Sequence, residues 1–264
     1  MSSFRGKLTW QGAVTLGLYG FMYIPILVLA VYSFNESRYG ARWTGFSLRW
    51  YGQLFQDERL FNALGDSLKI AVCAVGGAAV IGTLMAIGLA KYRFPGKSLY
   101  QGVSYLPLIV PDIAIAVATL VFLATVAIPL SIWTAIAAHL VFCLAYVAVV
   151  VSSRLKGLDP NLEEAALDLG ATPTQALVRV LLPQLAPAIL SGCLLAFVLS
   201  MDDLLISSFT AGGATPLPIE IFSRVRTGVK PDMNALSVVL ILASGLIATA
   251  SEYFRYKSEQ FSDL

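Results

Sequence analysis

Residues 159–183 read DPNLEEAALDLGATPTQALVRVLLP, a polar, punctuated stretch between two long apolar runs. Asp159 has the side chain to cap a helix start, Pro160 suits a first turn, and Glu163 and Glu164 place negative charge at the positive end of a helix dipole. Gly170 is expected to end that helix. Thr172 then caps a second one with Pro173 at its first position, and Pro183 is expected to stop it before the next apolar run. A bare connection needs only a few residues, so a capped helical pair of this length implies a surface offered to a partner.

The rest of the chain says where that surface sits. Of 264 residues, 57% are hydrophobic and 13% charged, with a mean hydropathy of +0.75; a soluble domain carries about a quarter of charged residues. The chain is therefore read as an all-α membrane protein with one transmembrane domain over residues 1–264. Six stretches approach the roughly 20 residues a helix needs to cross a bilayer: 11–34, 67–90, 99–126, 130–152, 186–210 and 234–254. The polar loop occupies 153–185. The first apolar run is too long for a signal peptide and lacks a small-residue cleavage site, so it reads as a retained helix. Cys73, Cys143 and Cys193 fall inside spans, far apart and away from any histidine pattern, and read as packing thiols.

Orientation rests on basic residues in short loops. Arg5 and Lys7, the turn with Lys91, Arg93 and Lys97, the loop with Arg154, Lys156 and Arg179, and Arg255 and Lys257 share one side, ten residues against eight opposite (Arg38, Arg42, Arg49, Arg59, Lys69, Arg224, Arg226, Lys230). The turn of three basic residues without an acid decides the matter locally: both termini and the Glu164 loop are expected in the cytoplasm. The external segment from Asn35 to Asp66 reads as partly helical, with Trp50, Leu54 and Phe55 on one apolar face and Phe61 and Leu64 on another, while Trp43, Trp50 and Tyr51 suit a membrane interface.

Acids within the spans carry the functional signal, because a carboxylate near a helix centre costs about 2.5 to 3.5 kcal/mol on insertion scales. Asp112 lies in the third expected span, roughly 20 Å from its cytoplasmic start, with Tyr105 and Thr119 on its helical face. Asp202 and Asp203 are adjacent in the fifth and about 100° apart on a helix. Asp203 belongs to a small, polar stripe with Ser200 and Ser207, whereas Asp202 aligns with Leu195, Val198 and Ile206. A regular helix would therefore turn Asp203 to a pathway and leave Asp202 to bond within the bundle, and Asp203→Asn would harm transport more than Asp202→Asn. No Lys or Arg lies deep in any span to neutralise these acids. His139 reads as a packed or hydrogen-bonded core residue. Unpaired acids suggest a cationic cargo, whether proton, metal or organic amine.

Nothing in the chain supplies catalysis or resident metal chemistry. No nucleophile and base pair and no metal-ligand cluster stands out, and no feature points to nucleic acid. Gly96-Lys97-Ser98 is no phosphate-binding loop, because Lys91 stands where a further glycine is required.

The pattern Glu164-Ala165-Ala166, Gly170, Val180-x-Leu182-Pro183 resembles the EAA loop of ABC importer permeases, with Val180 where isoleucine is common. The likeness extends across nearly the whole chain. Tyr23-Ile24-Pro25 with Ser33-Phe34-Asn35, Tyr92-Arg93-Phe94 with Gly96-Lys97, Pro111-Asp112-Ile113, Ser153-Arg154-Leu155-Lys156-Gly157, Ser200-Met201-Asp202-Asp203 and Asn234-Ala235-Leu236 are similar to the inner-membrane permeases of spermidine/putrescine importers. That resemblance implies a type I ABC importer permease fold with six transmembrane helices in a bacterial inner membrane. It also implies a second homologous permease subunit, two ATP-binding subunits that carry ATP and Mg, a periplasmic polyamine-binding protein, and no cofactor in this chain. The coupling residues would be Glu164, Ala165, Ala166, Gly170 and Pro183. Asp112 and Asp203 would be the leading cargo contacts, with Asp202, Trp50 and Glu220 weaker ones, and Tyr105 and Ser200 beside them. The alternative reading, an ion- or proton-coupled secondary transporter or channel, uses the same acids but leaves the Glu164 loop without a task.

Overall fold

The computed structural model describes residues 10–37, 42–228 and 231–262. Among them the chain is helical, with no strand beyond an isolated antiparallel bridge between Asn35 and Phe46. It divides into two compact units: Arg59–Glu220 forms one, and the segments on either side form the other. Arg5, Lys7, Arg38 and Lys230 lie outside the described residues.

The flanking unit contains α1 (Trp10–Tyr32), α2 (Arg49–Leu54) and α12 (Pro231–Ser262). No residue of α1 is buried, and Phe21 stands 79% exposed. At about 25 cal/mol per Å² of apolar surface, such a helix is stable only where lipid or another protein covers it. Asn35 is fully buried and organises the segment after α1. Its Nδ2 donates to Arg42 O at 2.8 Å, its Oδ1 accepts from Thr44 N at 3.0 Å, and its carbonyl accepts from Trp50 Nε1 at 2.7 Å. Trp50 and Leu54 are buried together, as sequence spacing predicts, but Phe55 is 62% exposed. It follows the end of α2 and so leaves the expected face. Arg224 bonds Asp57 at 2.6 Å and lies 3.9 Å from Asp232.

The central unit is built on α3 (Glu58–Lys91), α6 (Ile132–Lys156) and α9 (Leu182–Asp202). Fully buried Ala74, Ala78 and Ala86 on α3, Ala148 on α6 and Ala196 on α9 keep side chains small in this core, the usual means of bringing membrane helices close.

Among the described residues four helices are long and apolar enough to cross a membrane: Trp10–Tyr32, Glu58–Lys91, Ile132–Lys156 and Pro173–Asp202. Two expected spans depart from single straight helices. The stretch 99–126 folds as α4 (Lys97–Tyr105), a 3-10 turn (Leu106–Leu108) and α5 (Asp112–Thr125), bent by 109°. Pro111, with ψ 137°, provides the break: it has no N–H to continue a helix and its ring crowds the preceding turn. The stretch 186–210 ends its helix at Asp202, where Asp203 turns to an extended ψ of 115°, and resumes as α10 (Leu205–Thr210). The last span corresponds to a shorter apolar part of α12, Pro231–Leu246.

Pro183 departs from expectation in the opposite sense. The second loop helix, α8 (Pro173–Ala176), runs through a π-turn (Leu177–Leu181) directly into α9, so Pro183 lies in the first turn of α9 and terminates nothing. A proline there forfeits no intrahelical bond if the preceding turn absorbs the irregularity.

Candidate functional site

The two helix breaks of the central unit meet around one cleft of about 270 Å³, lined by Pro107, Asp112, Phe142, Tyr146, Leu199 and the run Asp202–Ile206. Non-helical backbone at membrane depth is tolerated where it lines a cavity or is buried in protein, and each break delivers an acid. Asp112 is the first residue of α5. Asp202 is the last of α9. Both are exposed, and neither has a hydrogen-bond or ion-pair partner among the described residues.

Asp203 is placed differently from the regular-helix expectation. Its carboxylate accepts from Ile206 N at 3.2 Å and Ser207 N at 2.7 Å, capping the first turn of α10, and lies 3.3 Å from His139 Nε2. His139, fully buried on α6, places Nδ1 2.7 Å from Ser200 Oγ and Nε2 3.0 Å from Ser207 Oγ. Ser200 is thus a buried partner of histidine. The helical phase argument fails at Asp203 because the helix ends one residue before it; Asp202 presents the more open carboxylate. The missed signal is an acid followed by two first-turn N–H groups at positions three and four beyond it, an N-terminal capping pattern hidden in an apolar run.

Three other expected contacts do not line this cleft. Tyr105 ends α4, before the 109° bend, so it shares no continuous helical face with Asp112. Its phenol is 3.4 Å from Ser152 Oγ, and it lines a separate cleft of about 820 Å³ with Lys91, Lys97 and Glu163. Trp50 is 5% exposed, with the Arg49 guanidinium 4.5 Å above its ring, and has little open face for a ligand. Glu220 sits on α11 (Leu217–Arg226), half-buried and outside the lining of the Asp112 cleft.

The polar loop has the two-helix form that its capping residues predict. The first helix, α7 (Leu162–Asp168), begins later than Pro160 because Asp159 Oδ1 accepts from Asn161 N at 2.9 Å and makes a turn there. Gly170 closes it at φ +86°, a conformation that disfavours any residue with a Cβ. Thr172 caps α8: its Oγ1 accepts from Gln175 N at 3.3 Å, and Gln175 Oε1 accepts from Thr172 N at 2.9 Å. Glu164, Ala165 and Gly170 are exposed, and Leu169 is 90% exposed, so the loop presents a mixed acidic and apolar surface. Glu163 turns back to form an ion pair with Lys91 at the end of α3.

With this geometry in view, residues 78–260 match the family described as binding-protein-dependent transport system inner membrane component. The chain belongs to that family. Its similarity to named members runs nearly end to end. It is 43% identical over 262 residues to the putrescine transport system permease protein PotI of Escherichia coli (strain K12), covering 95% of this chain and 92% of that one. It is 42% identical over 249 residues to the spermidine/putrescine transport system permease protein PotC of Haemophilus influenzae, covering 94% and 97%. Among solved structures, a bacterial ABC transporter involved in the import of the acidic polysaccharide alginate matches with a TM-score of 0.73 at 15% identity, over 91% of this chain and 93% of that one. The MetNI methionine ABC transporter matches with a TM-score of 0.58 at 21% identity, over 79% and 97%. At these identities the solved structures show the fold that the chain shares, and the family gives its role, an inner-membrane component of a binding-protein-dependent transport system.

Proposed function

We infer that this permease is the membrane-spanning subunit of an ATP-driven polyamine importer, taking up putrescine, spermidine or both by alternating access. One observation carries the reading: two carboxylates without a partner among the described residues, Asp112 and Asp202, stand at two helix breaks around one cleft. A polyamine places ammonium groups at intervals on an aliphatic stem, and Phe142 and Tyr146 in the same lining suit the stem and the cation alike. The relatives named for putrescine and spermidine favour this cation over a proton or a metal.

The assembly follows from the family. A second homologous permease would complete the pathway, a periplasmic polyamine-binding protein would deliver cargo, and two ATP-binding subunits carrying ATP and Mg would bind the Glu164 loops. Counting the bent pair once and the apolar part of α12 once would give six spans with both termini on one side; the basic Lys91–Lys97 turn supports reading that side, and the Glu164 loop with it, as cytoplasmic. Loop motion would reach α3 through the Glu163–Lys91 pair and α9 through the unbroken run from α8.

Uptake of labelled putrescine and spermidine by cells expressing all the subunits tests this. Glu164→Lys is expected to lower uptake about tenfold, the usual scale of coupling between sites, while the purified complex consumes more ATP per amine imported. Uptake that follows the proton gradient and ignores an inactivated ATPase would instead select the secondary-transporter reading. A two-way charge exchange isolates the loop linkage: Lys91→Glu alone sets like charges together and is expected to reduce uptake, and Lys91→Glu with Glu163→Lys to restore it. The half-exposed pair contributes under about 1 kcal/mol of stability, so protein levels should stay constant across this set.

A further inference from the structure

His139 belongs to no part of the pathway described above, yet both of its ring nitrogens are engaged within the central unit. It is fully buried on α6, with Ser200, Ser207 and Asp203 all within 3.3 Å of its ring nitrogens. A carboxylate oxygen only accepts, so the proton between the two groups sits on Nε2; Nδ1 is then free to accept from the Ser200 hydroxyl. The three partners bracket the break, with Ser200 before it, Asp203 within it and Ser207 in the first turn after it. The same face of α6 carries Phe142, whose ring centroid is 5.2 Å from that of His139, and Tyr146, and both line the cleft. Asp203 also lines that cleft, but its side chain is only 10% exposed and its oxygens are directed to His139 and two backbone N–H groups.

We propose that His139 is a positioning residue for cargo transit: it claims Asp203 as its own partner, holds the break at Asp203–Leu204 in shape, and limits the carboxylates open to cargo in this cleft to Asp112 and Asp202. This rests on the polyamine reading. Deprived of the imidazole, Asp203 becomes a third acid in the cleft wall with only its two backbone N–H donors left, a costly state for a largely buried charge. A polyvalent ammonium cargo supplies the missing charge, so it is held more tightly and released more slowly. The penalty grows with cargo valence, which a mere loss of packing does not predict.

The complete transporter, reconstituted with its binding protein and ATPases, provides the test. His139→Leu is expected to slow spermidine uptake about tenfold, as for the loss of one partner in a coupled pair, and putrescine uptake less. His139→Gln, which keeps an N–H toward Asp203, should retain most of the rate. His139→Leu with Asp203→Asn removes the stranded charge and should recover the rate to that of Asp203→Asn alone. Losses that multiply in the double variant, an equal slowing of both amines without recovery, or normal uptake by His139→Leu would overturn the proposal. If His139→Leu fails to assemble, recovery of assembly by the second substitution supports it and continued failure refutes it. Wild-type transporter that imports neither amine would sink the polyamine reading instead, and the assembly comparison would still decide whether His139 and Asp203 act as a pair.

Discussion

Gly212→Ala is expected to deplete the folded permease more severely than alanine at any other described glycine. Gly212 has φ +61°, where an L-residue incurs roughly 1–2 kcal/mol of local strain. The added Cβ would also lie 2.4 Å from Leu130 O, 2.5 Å from Leu130 C and 2.9 Å from Ser131 N. These are backbone atoms, so no rotamer change relieves the overlap. They cannot retreat easily either, since Ser131 N donates to Thr134 Oγ1 at 2.7 Å and that hydroxyl donates to Thr210 O at 2.7 Å. The turn before α6 and the end of α10 are thus joined where the methyl would be inserted. The combined cost should reach about 4 kcal/mol or more, the range in which a substitution reports a specific steric cause. Gly170→Ala is the matched control: φ is +86° but nothing lies within 4 Å of the place its Cβ would take, leaving only the strain. Thermal aggregation of the detergent-solubilised complex should show Gly212→Ala far below Gly170→Ala. Equal melting would mean that the contact at Leu130 gives way at little cost.

The membrane class and the polar loop were legible from composition and local rules, because each depends on neighbours in sequence. Thr172 and Gln175 form their cap from adjacent residues, and Gly170 is read from its own backbone need. The break at Pro111 was not read, because the apolar run 99–126 continues through it, although a proline inside a span is the local signal for one. The break at Asp203 was not legible in the same way. Hydropathy and periodicity run through Leu195, Val198, Ile206 and Phe209 without interruption, whereas the interruption is stabilised by a histidine 64 positions earlier in the chain. His139 could be read as buried and hydrogen-bonded; its partners could not be read, since only tertiary packing of α6 on α9 and α10 brings them together. The setting of Trp50 was hidden for a similar reason. Its aromatic face suits a cation, but Asn35 and Arg49 already engage it in the fold.

Asp202→Asn is expected to lower polyamine uptake about tenfold while leaving the protein as stable as before or slightly more so, which reverses the order inferred for a regular helix. The two neighbouring acids stand in opposite electrostatic settings. Asp202 terminates α9, where a carboxylate meets the negative end of the helix dipole, and it has no partner among the described residues. Neutralising it should therefore relieve some 0.3–1 kcal/mol of repulsion at the helix end. Asp203 precedes α10, where a carboxylate is favourable and is bonded to two N–H groups and His139. Asp203→Asn keeps one cap acceptor, since Asn and Asp cap about equally, but it should lose roughly 0.3–1 kcal/mol of attraction to the helix dipole together with one of the carboxylate's acceptors, and so lower the melting temperature. An acid that destabilises its own helix is retained at a cost which a cationic ligand would offset on arrival, the trade between stability and activity expected of a binding group. Uptake kinetics and melting of the same purified variants separate the roles. If Asp202→Asn melts lower than wild type and transports normally, then Asp202 is structural and the cargo must be met by Asp112 and the second permease.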